Sequence, residues 1–248
     1  MSEQIIAILK RKIEDLAAYG EIDSETRINA LKEELQYYVL NFIYHHSEYS
    51  RWTMYGGSAL RICYDLDRMS VDLDFEVDHE IKNDFLDELK GEIEKHFSNT
   101  YKVEPDFLTV KITNKRGLIL KFHVGKELVA GYGSEWVHIK IDLNYFSAPK
   151  KVVTERIPKN YGQLSFVIKT YNLSALMASK LAAIFLRGTR GVGEATYEEK
   201  GRDIYDLLWY MNKKVAPDLD YLKAKDVEEA KDLRTLFNKL TIKMNAVS

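Results

Sequence analysis

The sequence predicts an α+β fold, a mixed twisted sheet with flanking helices followed by a helical C-terminal part. Residues 3–48 carry apolar positions at three- and four-residue spacing, as amphipathic helices do. Residues 52–146 alternate apolar and polar positions between glycine turns, as half-buried strands do. From Ser174 onward the spacing is helical again. No internal repeat or low-complexity tract interrupts the 248 residues, so the expected division is a sheet-centred part over 1–165 and a helical part over 166–248.

The elements follow in order. Residues 3–18 and 23–48 read as two helices; in the second, Ile28, Leu31, Leu35, Tyr38, Val39 and Phe42 share a face, and Asp23 ahead of Thr26 marks the start. "WTMYG" (52–56) is a short strand that Gly56-Gly57 breaks, and Ser58–Tyr64 is a short helix. "VDLDFEV" (71–77) is a second strand with strict alternation, and residues 80–98 form an acidic amphipathic helix. Three strands are predicted over 101–113, 117–124 and 135–146, with turns at Asn114–Gly117 and Gly131–Gly133. The C-terminal part holds helices over 174–188, 197–214 and about 226–244, with a glycine-rich break, "TRGVG" (189–193), after the first.

Composition narrows the function classes. Apolar residues make up 46% and charged residues 30%, an ordinary globular balance. No run of 18 apolar residues exists, so no membrane helix is expected, and the acidic N-terminus without an apolar stretch does not read as a signal peptide. Cys63 is the single cysteine, which fits a reducing compartment, and the expected location is cytoplasmic. The net charge of −2 hides an asymmetry: residues 1–100 hold 11 Lys+Arg against 21 Asp+Glu, and the remainder holds 25 against 17. Such a pattern suits metal ions at one place and polyanions at another, or simply solvated helix faces.

The chemistry concentrates in "YGGSALRICYDLDRMSVDLDFEV", residues 55–77. On the strand Val71, Leu73 and Phe75 point one way while Asp72, Asp74 and Glu76 point the other, the two aspartates about 7 Å apart at Cα. Hard carboxylate oxygens at that spacing suit one or two Mg²⁺ ions, and paired ions can clamp both oxygens of a phosphoryl transfer. Gly56-Gly57 ends a strand and opens a helix, where backbone N–H groups and the dipole favour a phosphate, and Ser58 adds a hydroxyl. Asp142 in "HIKIDLNY" is the candidate third carboxylate and shares its strand face with Lys140 and Asn144. The sequence holds no Walker-type phosphate loop, no H-E-x-x-H and no cysteine cluster, and "HHSE" (45–48) is not read as a metal site.

A Gly-Gly-Ser turn followed after thirteen residues by D-x-D resembles the DNA polymerase β-like nucleotidyltransferase superfamily. The fuller string, "GGSAL" then Arg68, Ser70, Asp72, Asp74 and Phe75 in "R-x-S-x-D-x-D-F", resembles the AbiEii/AbiGii-type (MenT-like) toxin family. Its downstream signatures are matched by Lys180 and Ala183 in "SKLAAIFLR", and by Arg202, Asp203, Asp206 and Leu207 in "GRDIYDL". The resemblance spans roughly 50–210. It implies that residues 1–165 are the nucleotidyltransferase domain, with Mg²⁺ (or Mn²⁺) on Asp72, Asp74 and Asp142. It implies NTP contacts from Gly56, Gly57, Ser58, Arg68, Ser70 and Lys180, with Asp203 as the family's essential acid holding Lys180 or orienting the nucleotide. Arg202 and Asp206 are then structural partners, and Ser70 occupies a position that some members have phosphorylated by a kinase-like antitoxin. The chain departs from the family in Asp65 and Asp67, where an aromatic or histidine often stands.

The implied function is a toxin of a toxin–antitoxin or abortive-infection system that transfers NMP from an NTP to RNA, in particular the tRNA 3′ end, and so blocks translation. The basic second half, with Lys150-Lys151, Arg187, Arg190, Lys213-Lys214 and Lys223/Lys225 among aromatics, would hold RNA phosphates. Transfer to a protein or small-molecule hydroxyl, or GTP binding without transfer, are the alternatives. The expected partners are an NTP, tRNA or another RNA and a cognate antitoxin, with no membrane.

Overall fold

The computed structural model describes residues 2–186 and 197–245. The glycine-rich break "TRGVG" (189–193), Arg190 included, lies outside the described residues, as does Arg187. Helices α1 (Ser2–Ala17) and α2 (Ser24–His45) lead into β1 (Thr53–Tyr55), α3 (Gly56–Tyr64) and β2 (Asp72–Val77). Then come α4 (Asn83–Tyr101), β3 (Leu108–Thr113), β4 (Gly117–His123), β5 (Trp136–Tyr145), β6 (Thr154–Tyr161) and β7 (Leu164–Tyr171). Helices α5 (Leu173–Phe185), α6 (Tyr197–Asn212), α7 (Leu219–Ala224) and α8 (Leu233–Asn245) complete the described chain.

All seven strands join one mixed sheet in the order β3-β4-β5-β2-β1-β7-β6. The antiparallel β1–β2 pair at its centre is flanked by parallel partners, β5 beside β2 and β7 beside β1. The alternation read in "VDLDFEV" decides what each face of β2 does. Leu73, Phe75 and Val77 are buried, with Phe75 packed on Trp52 and Tyr44 at ring centroids of 5.7 and 6.4 Å. Asp72, Asp74 and Glu76 face the other way, toward a cavity that α5 and α7 help to line. Long α2 starts where the sequence predicts, the Asp23 carboxylate accepting from the Thr26 N–H at 2.7 Å.

Several boundaries differ from the sequence reading. The acidic helix runs on to Tyr101, whose ring packs tilted on the buried Phe97 at 5.2 Å between centroids, so β3 begins only at Leu108. The β6–β7 hairpin was not expected, and the sheet continues to Tyr171, past position 165. Pro158 and the exposed charges of β6 hide its strand character, and both are tolerated because β6 is an edge strand. The expected helix over 226–244 is replaced by α7 and α8: Asp226 sits at φ 62°, which ends a helix, and Asp232 starts the next by accepting from the Thr235 N–H at 2.8 Å.

Candidate active site

Gly56 takes φ +75°, a conformation that glycine adopts without a Cβ clash. A Cβ there would come within 2.6 Å of Asp74 Oδ2, and one on Gly57 within 2.6 Å of Ser70 Oγ. Two side chains are omitted so that the start of α3 can lie against the acidic strand. Ser58 is placed differently from the expectation. It is fully buried, its hydroxyl donates to the Asp72 carbonyl, and its Oγ lies 3.2 Å from Ser70 Oγ and 3.4 Å from Gln36 Nε2. The serine ties α3 and α2 to β2, while Gly57 and Ser70 line the cavity in its place. Ser58→Ala is therefore expected to lower stability by about 1–2 kcal/mol through the lost hydroxyl bonds and to leave the KM for NTP within about threefold. A KM raised tenfold at unchanged melting temperature would return the hydroxyl to the phosphate site.

The acids meet across two parallel strands. In register, Asp72 pairs with Lys140, Asp74 with Asp142 and Glu76 with Asn144. Burial, then the facing Asp142 and nearby Asp72, push the Asp74 carboxyl up to about 7, with Lys140 and Lys180 pulling it back. Lys140 was read only as a strand neighbour. Its amine bonds Asp142 Oδ2 at 2.5 Å, and although burial works against its charge, Asp142 and the other acids hold its pKa above the ordinary value. Asp142 Oδ1 is buried without a hydrogen-bond partner among the described residues.

The donor set fits a hard divalent cation. Asp72, Asp74 and Asp142 share one sheet face with the Lys140 amine among them, one oxygen of Asp142 is orphaned, and Asp74 is driven toward its neutral form by burial and then by like charge. Among the described residues no three such side chains already enclose one ion position, and the Lys140 amine bonds Asp142.

Cations gather at the N-terminal end of β2. Arg68 donates from Nε and Nη2 to the two oxygens of Asp206 at 2.6 and 2.7 Å. Lys180 lies 2.7 Å from Asp206 Oδ2 and 3.2 Å from Asp203 Oδ1. Asp203 thus pairs with Lys180. Asp206, read as a structural partner, is the hub for both cations and has a fully buried carboxylate. Burial alone would raise its pKa, but Arg68 and Lys180 outweigh that and keep it below the ordinary carboxylate value. Arg202 is exposed and lines the rim.

At the opposite end of the cavity, of about 440 Å³, lies a network the sequence reading missed. Glu76 is 3% exposed, and its carboxylate accepts from Tyr171 at 2.6 Å, Tyr221 at 2.7 Å and Lys225 at 2.5 Å. Lys225 is therefore buried, not part of an RNA-facing surface as expected, whereas Lys150, Lys151, Lys213, Lys214 and Lys223 are exposed. The alternation of β2 placed Glu76 on this face, but nothing local announced that a lysine on the loop after α7 would meet it.

The sheet thus presents paired carboxylates beside a Gly-Gly turn, with a lysine from a following helix lining the same cavity. The family profile "Nucleotidyl transferase AbiEii toxin, Type IV TA system" matches residues 40–245, and the chain belongs to that family. It is a nucleotidyltransferase of a toxin–antitoxin system. Among solved structures it is similar in fold to MenT4, a nucleotidyltransferase toxin from Mycobacterium tuberculosis H37Rv, at 18% identity and TM-score 0.50, covering 88% of this chain and 67% of that one. JHP933 from Helicobacter pylori is 17% identical with TM-score 0.47, over 88% of this chain and 91% of that one. A comparison with curated protein sequences returns no match. No helix among the described residues is long and apolar enough to cross a membrane.

Proposed function

We propose that the chain transfers NMP from an NTP to an RNA acceptor, the tRNA 3′ end, and so arrests translation when no antitoxin restrains it. The observation that carries this reading is the facing pair Asp74–Asp142 beside Asp72, at one side of a cavity whose end holds Arg68 and Lys180. Asp72, Asp74 and Asp142 would hold Mg²⁺ or Mn²⁺, which when bound supplies Lewis-acid polarisation of the α-phosphate and activates the attacking hydroxyl. The chain's own groups do the rest. The Gly56-Gly57 turn lets the triphosphate approach the backbone, and Lys180 and Arg68, set by Asp203 and Asp206, neutralise it. The acceptor oxygen bonds the α-phosphorus as the bond to the β-phosphate oxygen breaks. A carboxylate of the acidic face takes the hydroxyl proton, and pyrophosphate leaves toward the cationic end. The exposed lysines at 150–151, 213–214 and 223 support a polyanionic acceptor.

The test is incubation of purified protein and Mg²⁺ with total tRNA and each α-³²P-NTP, beside an Asp72→Ala/Asp74→Ala control. Label is expected at the tRNA 3′ end, lost in the control and after chelation. Label in protein or in a small acceptor would move the reading to those hydroxyls, and nucleotide binding with no label anywhere would move it to sequestration.

A further inference from the structure

The cavity has two chemically different ends, and the register of β2 against β5 says which is which. Arg68, Ser70 and Gly57 stand before Asp72, so the cations lie on the N-terminal side of the acids. The Glu76–Asn144 pair stands one pleat beyond Asp74–Asp142, about 7 Å farther along the strands. At that far end the charge is already balanced, since Glu76 is matched by Lys225, whose amine lies 3.3 Å from the Phe146 ring centroid. A phosphate gains little there. Asn144 differs from its neighbours. It is half-buried and lines the cavity, and its amide has no hydrogen-bond partner among the described residues. The cavity wall also carries Ala182 and Ala183 of α5 and Leu186 just after it, a small apolar surface of the kind a flat ring packs against.

We propose that this far end is the nucleoside subsite for the donor nucleotide, with the Asn144 amide as the group that reads the base or ribose edge over the neutral Glu76–Lys225 floor. The proposal rests on the reading of the site as NTP-dependent. An amide offers both a donor and an acceptor, so it can engage a base edge through two bonds and reject an edge of the wrong polarity. A triphosphate anchored at Arg68 and Lys180 with its α-phosphate at the acids directs the nucleoside toward this end of the cavity.

The experiment is calorimetric titration of the full chain with non-transferable α,β-methylene analogues of the four NTPs, and with inorganic tripolyphosphate as a probe of the cationic end. Wild type is expected to prefer one base. Asn144→Ala should bind that analogue about tenfold more weakly and level the preference, while tripolyphosphate affinity stays within about twofold. Asn144→Asp, which replaces the amide donor by an acceptor, should shift the order of preference, and it answers the question should the alanine variant fold poorly. Unchanged affinity for all four analogues, with a raised KM for the acceptor, would assign the subsite to the acceptor and overturn the proposal. Equal losses for every analogue and for tripolyphosphate would also overturn it. Wild-type protein that binds neither nucleotide nor tripolyphosphate would instead remove the NTP-dependent reading beneath it, an outcome distinct from both.

Discussion

Asp74→Asn is expected to abolish nucleotidyl transfer, by on the order of 10³-fold, while making the metal-free protein more stable at pH 8. The loss follows from position: Asp74 lies between Asp72 on its own strand and Asp142 on the next, at the point where the acids converge. The gain follows from the same crowding. Burial and the two neighbouring acids raise its carboxyl from 3.8 to about 7, so the folded chain keeps a proton that the unfolded chain has released. A carboxyl raised in this way costs stability as pH rises between those values, because the native state binds more protons there. At about 1.4 kcal/mol per unit the full penalty above pH 7 is at most about 4 kcal/mol. Asparagine carries no such penalty. The difference in melting temperature between variant and wild type, measured in chelator, should therefore be small near pH 4.5 and grow to its maximum above pH 7. Saturating Mg²⁺ should narrow it, since only the wild type gains a full set of ligands. An asparagine variant less stable than wild type at pH 8 in chelator would refute the account of like-charge crowding.

How much of this was legible in the sequence depends on the range of the interaction. The face assignment of β2 came from period-two alternation alone, and the structure buries Leu73 and Phe75 as that pattern requires. The Asp23 cap and the Gly56-Gly57 turn are likewise local, decided by side chains within a few residues. Ser58 was misplaced because a motif names a residue type and not where its hydroxyl points. Here the Asp72 carbonyl and Gln36 claim it from within the core. Lys140 was visible in the alternation of β5 beside Asp142, and the parallel pairing with β2 turned that neighbour into an ion partner of the site. The meeting of Glu76 with Lys225, far apart in the chain, had no local signature. The same holds for β6, an edge strand whose Pro158 and charges satisfy edge requirements and read locally as loop.

Asp206 is a buried hub for two cations, and its removal should have the largest effect on stability. Its carboxylate is fully buried and takes two bonds from Arg68 and one ion pair from Lys180. Asp206→Ala leaves the Arg68 guanidinium without its matching charge and the Lys180 ammonium with only its longer pair to Asp203, in a place that water reaches poorly. Breaking a buried pair from one side costs about 3–5 kcal/mol, more than the pair contributes when intact. The variant should unfold at a clearly lower urea concentration than wild type. Any protein that remains folded should show a lower kcat/KM, because Arg68 and Lys180 are no longer held toward the triphosphate. Asp203→Ala removes the longer of the two carboxylate contacts to Lys180 and leaves Arg68 paired with Asp206, so it should cost less stability. Adding Arg68→Met to Asp206→Ala removes the orphaned guanidinium, so it should recover part of the lost stability and none of the activity. The pH dependence has the opposite sign from that of Asp74. Held below its ordinary pKa, Asp206 stabilises the fold above pH 4, and that contribution is lost as pH falls through its folded value. An Asp206→Ala chain with a wild-type urea midpoint would show that the two cations find solvent or another partner. The cationic end of the site would then owe its geometry to something other than this carboxylate.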